Sequence, residues 1–269
     1  MLSRNHFSSG ALPLVVKLLN DSSERTKHKI KRNRGKGRST IEKGCNNDCE
    51  EPTTSNCTNY QSNTSHSANE YLACSAALTG PLKAMHNVDL SHSVMKKYYF
   101  QRYSLFSRFD DGVYMDKEGW FSVTPEKIAQ HIANRLCQSG QPSIIVDAFT
   151  GVGGNAIQFA LQPSCKLVVA VDIDPVKIAC ARCNAQIYSV EDKIQFMCMD
   201  FFDACKAGIK ADAVFLSPPW GGPSYVNAPV FDMEISMFAK GSKMMEEASR
   251  ISRNIAFFLP RNANLRQVG

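Results

Sequence analysis

The chain has 269 residues, of which 43% are hydrophobic and 21% charged, and its formal net charge at pH 7 is +6. This hydrophobic content suffices for a buried core in one or two domains. No apolar run approaches the ~20 residues that a membrane-spanning helix needs, so we expect no membrane partner. Several of the ten cysteines fall inside apolar segments typical of a core, which indicates reduced thiols and argues against a disulfide framework.

The amino-terminal third differs in composition from the rest. Residues 1–92 are mostly Ser, Thr, Asn, Lys and Arg without a sustained helical or strand period, so we predict a disordered, basic, low-complexity tail there. A basic run can attract RNA phosphates or act as a nuclear import signal, and it can equally be a solvated segment that keeps the chain soluble. The run in this tail comprises Arg25, Lys27, Lys29, Lys31, Arg32, Arg34, Lys36 and Arg38.

A helical extension is predicted at residues 93–141. The segment from Lys96 to Phe106 is dense in aromatic and basic residues, which is typical of a helix that packs its aromatic face and turns its basic face toward an anion. Further along, Thr124 is expected to cap a helix that starts at Pro125 and continues through Leu136.

From residue 142 to residue 269 the pattern alternates between strands and helices. Continuous apolar runs predict buried parallel strands at 144–146, 167–171, 194–196, 213–216 and 255–259. Amphipathic stretches at 155–161 and 175–188 predict helices between them. The alternation predicts an α/β fold with a doubly wound, Rossmann-like sheet, in which ligands bind beyond the carboxyl ends of the strands.

A glycine-rich turn follows the first of these strands and leads directly into a helix. Asp147 ends the strand, and Gly151 and Gly153 allow the backbone to approach a bound nucleoside closely. The same spacing fits a dinucleotide fingerprint, so the turn alone indicates a nucleotide-like ligand of either kind. A nicotinamide dehydrogenase would also need a catalytic pair such as Tyr-x-x-x-Lys, and none is apparent.

Carboxylates stand at the ends of the next two strands. Asp172 follows the glycine turn by about twenty residues, where a carboxylate commonly accepts hydrogen bonds from ribose hydroxyls, and we assign ribose binding to it. Asp174 is expected to cap the helix that begins at Pro175. Asp200 and Phe201 offer a carboxylate and a ring where an adenine would lie, and a structural role for them is nearly as compatible.

The deciding motif is Ser217-Pro218-Pro219-Trp220 at the end of the fourth strand. It resembles the Asn/Asp/Ser-Pro-Pro-aromatic signature of methyltransferases that modify exocyclic amino groups of bases. The chemistry explains the residue types, because an aryl amine delocalises its lone pair and must be held in place to attack a methyl donor. A hydroxyl and a carbonyl next to rigid prolines can hold its hydrogens, and the indole offers a stacking face.

Five blocks together resemble the trimethylguanosine synthase family, whose members hypermethylate RNA 5′ caps. The likeness runs from about Lys97 to Val268, and its blocks are FSRFDDG (106–112), EGWFSVTPE (118–126), VDAFTGVGGN (146–155), DIDPVKIA (172–179) and LSPPWGGP (216–223). The resemblance implies a class I methyltransferase that uses S-adenosyl-L-methionine. It further implies two successive transfers to the amino group of 7-methylguanosine caps on small nuclear and nucleolar RNAs.

Individual roles also follow from the resemblance. It implies that Trp220 stacks on the cap base, that Ser217 and Pro218 position the amino group, and that Phe106 and Thr124 line the cofactor pocket formed with the amino-terminal helices. Cap-phosphate contacts are implied for Lys97, Asn184, Tyr225 and Arg261. Small nuclear ribonucleoprotein proteins are the implied protein partners, and the nucleus, including nucleolus or Cajal body, is the implied location, with the cytoplasm as a further one.

Two other functions stay open at this point. The chain stops at Gly269, where the family continues into further strands, so we expect a domain truncated at its carboxyl end and keep a non-catalytic cap-binding or regulatory isoform as an alternative. An amino methyltransferase for another base is the second alternative. The histidines stand singly, without a metal-binding pattern, and no metal is expected.

Overall fold

The computed structural model describes residues 15–19, 93–138, 140–221, 225, 227–237 and 239–268. The predicted tail at 1–92 therefore lies outside the described residues except at 15–19, and the whole basic run between residues 25 and 38 lies outside them.

Strands and helices alternate through the larger part of the described chain. The strands are β1 (Val15–Leu19), β2 (Ile144–Asp147), β3 (Leu167–Asp172), β4 (Ile194–Cys198), β5 (Ala213–Leu216) and β6 (Ile255–Leu259). The α-helices are α1 (Ser93–Phe100), α2 (Arg102–Leu105), α3 (Gly119–Ser122), α4 (Glu126–Gln138), α5 (Gly154–Ala160), α6 (Pro175–Ile187), α7 (Phe201–Lys206) and α8 (Gly241–Ile251). Short 3-10 helices lie at Phe109–Asp111, Glu191–Lys193 and Leu265–Val268.

The six described strands form one sheet in the order β1-β6-β5-β2-β3-β4. Strands β2 to β6 pair in parallel, and the chain reverses its direction of winding between β4 and β5. This is the doubly wound α/β arrangement that the sequence predicts, and each of the five predicted parallel strands is present. The carboxyl ends of β2 and β5 lie side by side at the centre, which is where the winding reverses and where ligands of such sheets bind.

Strand β1 differs from the sequence-based expectation, because it falls inside the predicted disordered tail. It pairs antiparallel with the outer edge of β6, with Val15 opposite Leu259 and Leu19 opposite Ile255. A strand edge presents unpaired N–H and C=O groups, and the β-branched pair Val15-Val16 suits an extended backbone. The structure describes a strand for these five residues, inside the segment for which the sequence predicts disorder.

Both faces of the sheet are buried. Along β3, Val168 and Ala170 join one hydrophobic cluster, whereas Val169 and Val171 join a second cluster on the opposite face. Successive side chains of a strand point to opposite faces, so a strand covered on both sides has a continuous apolar sequence. Helices α4, α5 and α6 contribute to the first cluster, and α7 and α8 contribute to the second.

The amino-terminal extension, α1 to α3, packs through an aromatic cluster of its own. Trp120 is fully buried, and its ring lies 6.2 Å from that of Tyr99 and 5.8 Å from that of Phe109 between centroids. Two carboxylates join helix α6 and the residue after it to the rest of the domain, one from the extension and one from helix α4. Glu118 pairs with Lys177 (2.6 Å), and Glu126 accepts a hydrogen bond from the Tyr188 hydroxyl (2.8 Å).

Among the helices of the described ranges, none combines the length and the apolar character that a membrane crossing requires. Within the same ranges, no group of three His, Cys, Asp or Glu side chains is arranged to hold a metal ion. Cys180 is buried in the first cluster, which agrees with the expectation that several cysteines lie in the core.

Candidate active site

The glycine-rich turn is held between the sheet, α6 and the extension. Gly151 and Gly153 have φ angles of +53° and +93°, which residues with a side chain rarely adopt. A Cβ on Gly153 would lie 3.1 Å from the Cα of Ala181, and one on Gly154 would lie 2.7 Å from Val123 Cγ2. A Cβ on Gly151 would meet no heavy atom within 4 Å. The turn is therefore packed from behind, while its Gly151 surface is open to a ligand.

Asp147 lies under this turn and is completely buried. The Thr150 hydroxyl donates to its Oδ2 atom (3.3 Å). Burial raises the pKa of this carboxyl to about 7, and nearby N–H groups and the Thr150 hydroxyl only partly oppose that shift. The charge of Asp172 raises the pKa further. Asp147 thus supports the turn from below, and its protonation changes near neutral pH.

Asp172, at the end of β3, is joined to the same turn. Its Oδ2 atom accepts a hydrogen bond from the Gly151 N–H (2.8 Å), and its Oδ1 atom accepts one from the Asp174 N–H (3.0 Å). Each oxygen keeps a second lone pair that a ribose hydroxyl can use. Asp174 itself caps α6 by accepting from the Val176 N–H (2.8 Å), as predicted.

The segment between the end of β4 and the start of α7 contains the second half of the predicted nucleoside site. Asp200 caps α7, since its Oδ1 atom accepts from the Phe202 N–H (2.7 Å). Phe201 is buried, and its ring lies 5.4 Å from that of Phe149, a residue of the glycine-rich turn. Asp200 therefore has a structural role in this structure, and the adenine assignment of Asp200 and Phe201 stays a prediction.

These groups fit S-adenosyl-L-methionine. The open Gly151 surface accepts a close approach, and Asp172 supplies carboxylate oxygens for a ribose. Gly151 and Asp172 are the residues that would contact it, whereas Asp147 and Gly153 support the turn from behind, and a direct cofactor contact of these two stays a prediction. The site is built by the turn after β2 and the end of β3, two adjacent strands of the sheet.

The assignment of Asp172 can be tested by calorimetry. Asp172→Asn is expected to weaken S-adenosylmethionine binding by about 10- to 100-fold, because a charge-assisted hydrogen bond is worth ~1.5–3 kcal/mol. Asp174→Asn is the matched control, since it makes the same change two residues away at the cap of α6, and it should stay within about threefold of the unmodified chain. Equal losses in both variants would contradict the ribose assignment.

The Ser-Pro-Pro-Trp motif follows β5 and meets the glycine-rich turn. The Ser217 hydroxyl donates its hydrogen to the carbonyl oxygen of Phe149 (3.2 Å). Because this hydrogen is already donated to Phe149, the Ser217 oxygen can only accept a hydrogen bond from a further partner. Pro218 is buried and Pro219 is exposed. The motif is thus fixed to the turn that would hold the cofactor, and its serine is polarised to accept hydrogens.

Trp220 sits where the two hydrophobic clusters meet, and it packs against both. Its ring lies 5.2 Å from that of Tyr225 in an edge-to-face arrangement (87°) and 5.5 Å from that of Phe258. Its indole nitrogen Nε1 is buried and has no hydrogen-bond partner among the described residues. A buried donor left unpaired costs ~1–3 kcal/mol, so this nitrogen favours a ligand that brings an acceptor.

Three of the predicted phosphate contacts lie around this motif. Tyr225 is half-buried, and burial together with the nearby phenol of Tyr98 raises its pKa. Tyr98 belongs to α1, next to the exposed Lys97, whose Nζ atom lies 5.9 Å from the Tyr98 ring. Arg261 is exposed immediately beyond β6. Tyr98, the neighbour of Lys97, packs against the same hydrophobic cluster as Trp220, and the phosphate contacts of Lys97, Tyr225 and Arg261 stay predictions.

Asn184 has a different environment from the one that a direct phosphate contact needs. It is fully buried on α6, and its Nδ2 group donates to the carbonyls of Tyr114 (2.8 Å) and Val152 (2.9 Å). Its Oδ1 atom accepts from the Tyr114 N–H (2.8 Å). Both amide hydrogens are used, so Asn184 joins the extension to the glycine-rich turn here, and a phosphate contact would require these bonds to be exchanged.

Phe106 and Thr124 are both buried where the extension packs against neighbouring helices, and neither lies on an open surface. Phe106 is buried, with its ring 6.3 Å from that of Tyr188. The buried Thr124 hydroxyl accepts a hydrogen bond from Asn155 Nδ2 (2.9 Å), and α4 begins at Glu126. Thr124 thus fastens the extension to the start of α5, and Phe106 packs against the residue that follows α6. Their contact with the cofactor stays a prediction.

Sequence reasoning missed two contributors. Asn262 donates from Nδ2 to the carbonyls of Tyr225 (3.0 Å) and Ala228 (2.8 Å), and thereby holds the segment after the motif. The carbonyl of Phe149 holds Ser217. Asn262 could have been suspected because an amide in the loop after a buried strand lies at the ligand edge of the sheet, whereas a backbone carbonyl leaves no signal in the sequence.

A glycine turn with an open backbone, a carboxylate at the end of the next strand and a Ser-Pro-Pro-Trp turn at the same sheet edge define an S-adenosylmethionine-dependent methyltransferase. The family described as RNA cap guanine-N2 methyltransferase matches residues 142–269. The chain is 43% identical over 180 residues to the trimethylguanosine synthase of Schizosaccharomyces pombe, covering 65% of this chain and 74% of that protein. It is 40% identical over 187 residues to the trimethylguanosine synthase of Saccharomyces cerevisiae, covering 66% of this chain and 58% of that protein. The chain belongs to the RNA cap guanine-N2 methyltransferase family.

Among solved structures, an S-adenosylmethionine-dependent methyltransferase from Agrobacterium tumefaciens is 17% identical, with a TM-score of 0.39 over 52% of this chain and 47% of that one. The family membership makes the chain an S-adenosylmethionine-dependent enzyme that methylates the N2 amino group of the RNA cap guanine. The predicted family, cofactor and enzyme class are confirmed.

Proposed function

We propose that the chain adds two methyl groups in succession to the N2 atom of 7-methylguanosine caps on small nuclear and nucleolar RNAs, giving 2,2,7-trimethylguanosine in the nucleus. The observation that carries the proposal is the Ser217 hydroxyl bound to the Phe149 carbonyl at 3.2 Å. This hydrogen bond fixes the Ser217 oxygen, which can accept from the guanine amino group, to the turn that would hold the methyl donor. Both curated relatives are named for the trimethylguanosine product.

The chemistry requires the amino group to be oriented rather than strongly activated. S-adenosylmethionine would supply a methyl group on a sulfonium, whose sulfur leaves as a neutral thioether when the methyl group passes to nitrogen, and the amine then releases one proton to solvent. Ser217 cannot offer its hydrogen while that hydrogen is bound to Phe149, so its oxygen can hold one N–H of the guanine amine. Positioning of this kind can contribute ~7–11 kcal/mol to lowering a barrier. The guanine amine retains one N–H after the first methyl transfer, so a second methyl group can be added at the same nitrogen.

The aromatic residues favour a cap base that already carries a positive charge. A 7-methylguanine is cationic, and a cation over an indole face gains ~0.5–2 kcal/mol, depending on desolvation. Trp220 offers such a face, and Tyr225 buttresses it edge-on at 5.2 Å. This pairing supports methylation at N2 only after methylation at N7.

Two exposed cations support an RNA substrate with phosphates next to the base. Lys97 lies on α1 beside Tyr98, and Arg261 follows β6 directly before Asn262, which holds the Tyr225 segment. The cap phosphates would lie between these two elements.

The basic run from Arg25 to Arg38 supports nuclear import and contact with small nuclear ribonucleoprotein particles. Imaging a tagged chain in which that run is neutralised tests the location.

The direct test supplies labelled S-adenosylmethionine with either 7-methylguanosine diphosphate or guanosine diphosphate. We expect transfer only to the methylated nucleotide, with a product that gains two methyl groups by mass spectrometry. Ser217→Ala should lower kcat/KM by about tenfold, because one hydrogen bond to the amine is lost. Equal transfer to guanosine diphosphate, or a product that stops at one added methyl group, would contradict the proposal.

A further inference from the structure

One exposed face of α1 carries more aromatic and basic character than the fold requires. Phe100 is 76% exposed, whereas Trp120 and Phe109 of the same extension are almost fully buried. Lys96 and Lys97 are exposed as well. Residues four positions apart lie on the same side of a helix, so Lys96 and Phe100 are neighbours, and Lys97 lies beside them. We refer to Lys96, Lys97 and Phe100 as the α1 platform.

Packing does not account for the α1 platform. The half-buried residues Met95, Tyr98 and Tyr99 turn toward the first hydrophobic cluster and hold the helix. Phe100 has one ring neighbour, Tyr99, at 6.4 Å, among the ring contacts of the described residues. A scattered exposed apolar side chain is ordinary, but a phenyl ring grouped with two lysines beside a nucleotide site is a combination that binds single-stranded nucleic acid.

The α1 platform is continuous with the cap site. Tyr98 of α1 and Trp220 pack against the same hydrophobic cluster, Trp220 contacts Tyr225, and the ring of Tyr98 lies under the Nζ atom of Lys97. Phe100 is one helical turn beyond Lys97. A chain of phosphates that leaves the cap base past Lys97 therefore meets Phe100 and Lys96 next.

We propose that the α1 platform binds the first nucleotides of the substrate RNA that follow the cap, with Phe100 stacking on a base and Lys96 neutralising a phosphate. The proposal rests on the cap-methylating function. Stacking on an aromatic ring tolerates any base, so the α1 platform would add affinity for RNA bodies without selecting a sequence. It would make a capped RNA a better substrate than an isolated cap nucleotide.

The test compares 7-methylguanosine diphosphate with a fluorescent capped oligoribonucleotide of about ten nucleotides, by kcat/KM and by binding anisotropy. Phe100→Ala should weaken binding of the oligonucleotide and lower its kcat/KM by about tenfold, while both values for the cap nucleotide change less than twofold. Lys96→Gln should reduce the slope of log affinity against log salt for the oligonucleotide by about 0.7.

Leu161→Ala is the matched control, because Leu161 is an exposed apolar residue (44%) at the far end of α5, away from the turn. It should leave both ligands unaffected. Equal losses for the two ligands in Phe100→Ala, or no loss for either, would overturn the α1 platform. Binding is measured apart from turnover, so an oligonucleotide-specific loss of affinity in a chain without transferase activity would refute the proposed function and still support the α1 platform.

Discussion

Replacing Trp220 with alanine is expected to lower kcat/KM for cap methylation by about a thousandfold, or about 4 kcal/mol, through lost stacking and cation–π contact. The dissociation constant of S-adenosylmethionine should stay within about threefold. Gly151 and Asp172, which would hold the cofactor, lie on the β2 and β3 side of the site, whereas Trp220 follows β5. Steady-state kinetics with 7-methylguanosine diphosphate and calorimetry with the cofactor provide the two measurements.

Two further variants separate stacking from packing, because Trp220 also contacts both hydrophobic clusters. Trp220→Leu retains apolar volume against Phe258 but offers no aromatic face, so it should be as inactive as Trp220→Ala while unfolding near the original temperature. Trp220→Phe retains a ring and should recover at least about tenfold of the lost rate. Full activity in the leucine variant would show that Trp220 acts only as packing.

Asp147→Asn is expected to make the protein more stable at pH 8 than the unmodified chain, by up to about 4 kcal/mol. The buried carboxyl has its pKa raised to about 7 in the folded state, against 3.8 for an ordinary aspartate. Between these values the unfolded chain has lost the proton and the folded chain keeps it, so stability falls as the pH rises. Above about pH 7 the loss is complete, and below about pH 4 it vanishes.

Urea unfolding at pH 4, 5.5 and 8 checks this prediction. Asparagine resembles the protonated carboxyl in shape, so the two proteins should be nearly equal at pH 4 and diverge as the pH rises. Thr150→Val removes the hydroxyl that donates to Asp147, so it should raise the pKa of this carboxyl further and extend the loss of stability to higher pH. A difference between Asp147→Asn and the original chain that stays constant with pH would contradict the raised pKa.

The sheet could be predicted from the sequence because its strands are buried on both faces. Runs such as Ala213–Leu216 and Ile255–Leu259 are apolar at every position, and their burial in two opposite clusters is the physical reason. The cap of α6 was equally readable, because Asp174 precedes Pro175 and both act through the local backbone. Signals of this kind lie within a few residues of the element that they describe.

The roles of Asn184 and Ser217 could not be predicted in the same way. The partners of Asn184, at Tyr114 and Val152, come from distant parts of the chain, and all of the bonds end on backbone groups. The Ser217 motif was recognisable, but its anchoring on the Phe149 carbonyl was not, since carbonyls are common to all residues. Strand β1 escaped prediction because its stability comes from the edge of β6 rather than from its own pattern.

Strand β1 has a consequence for the order in which the molecule folds. During synthesis it emerges before every other described element, yet Val15 pairs with Leu259 and so must wait for β6, the last strand of the sheet. Contacts between residues so far apart in the chain form slowly, because closing a long loop costs entropy before the new contacts stabilise the chain. Addition of β1 is therefore a late step in folding.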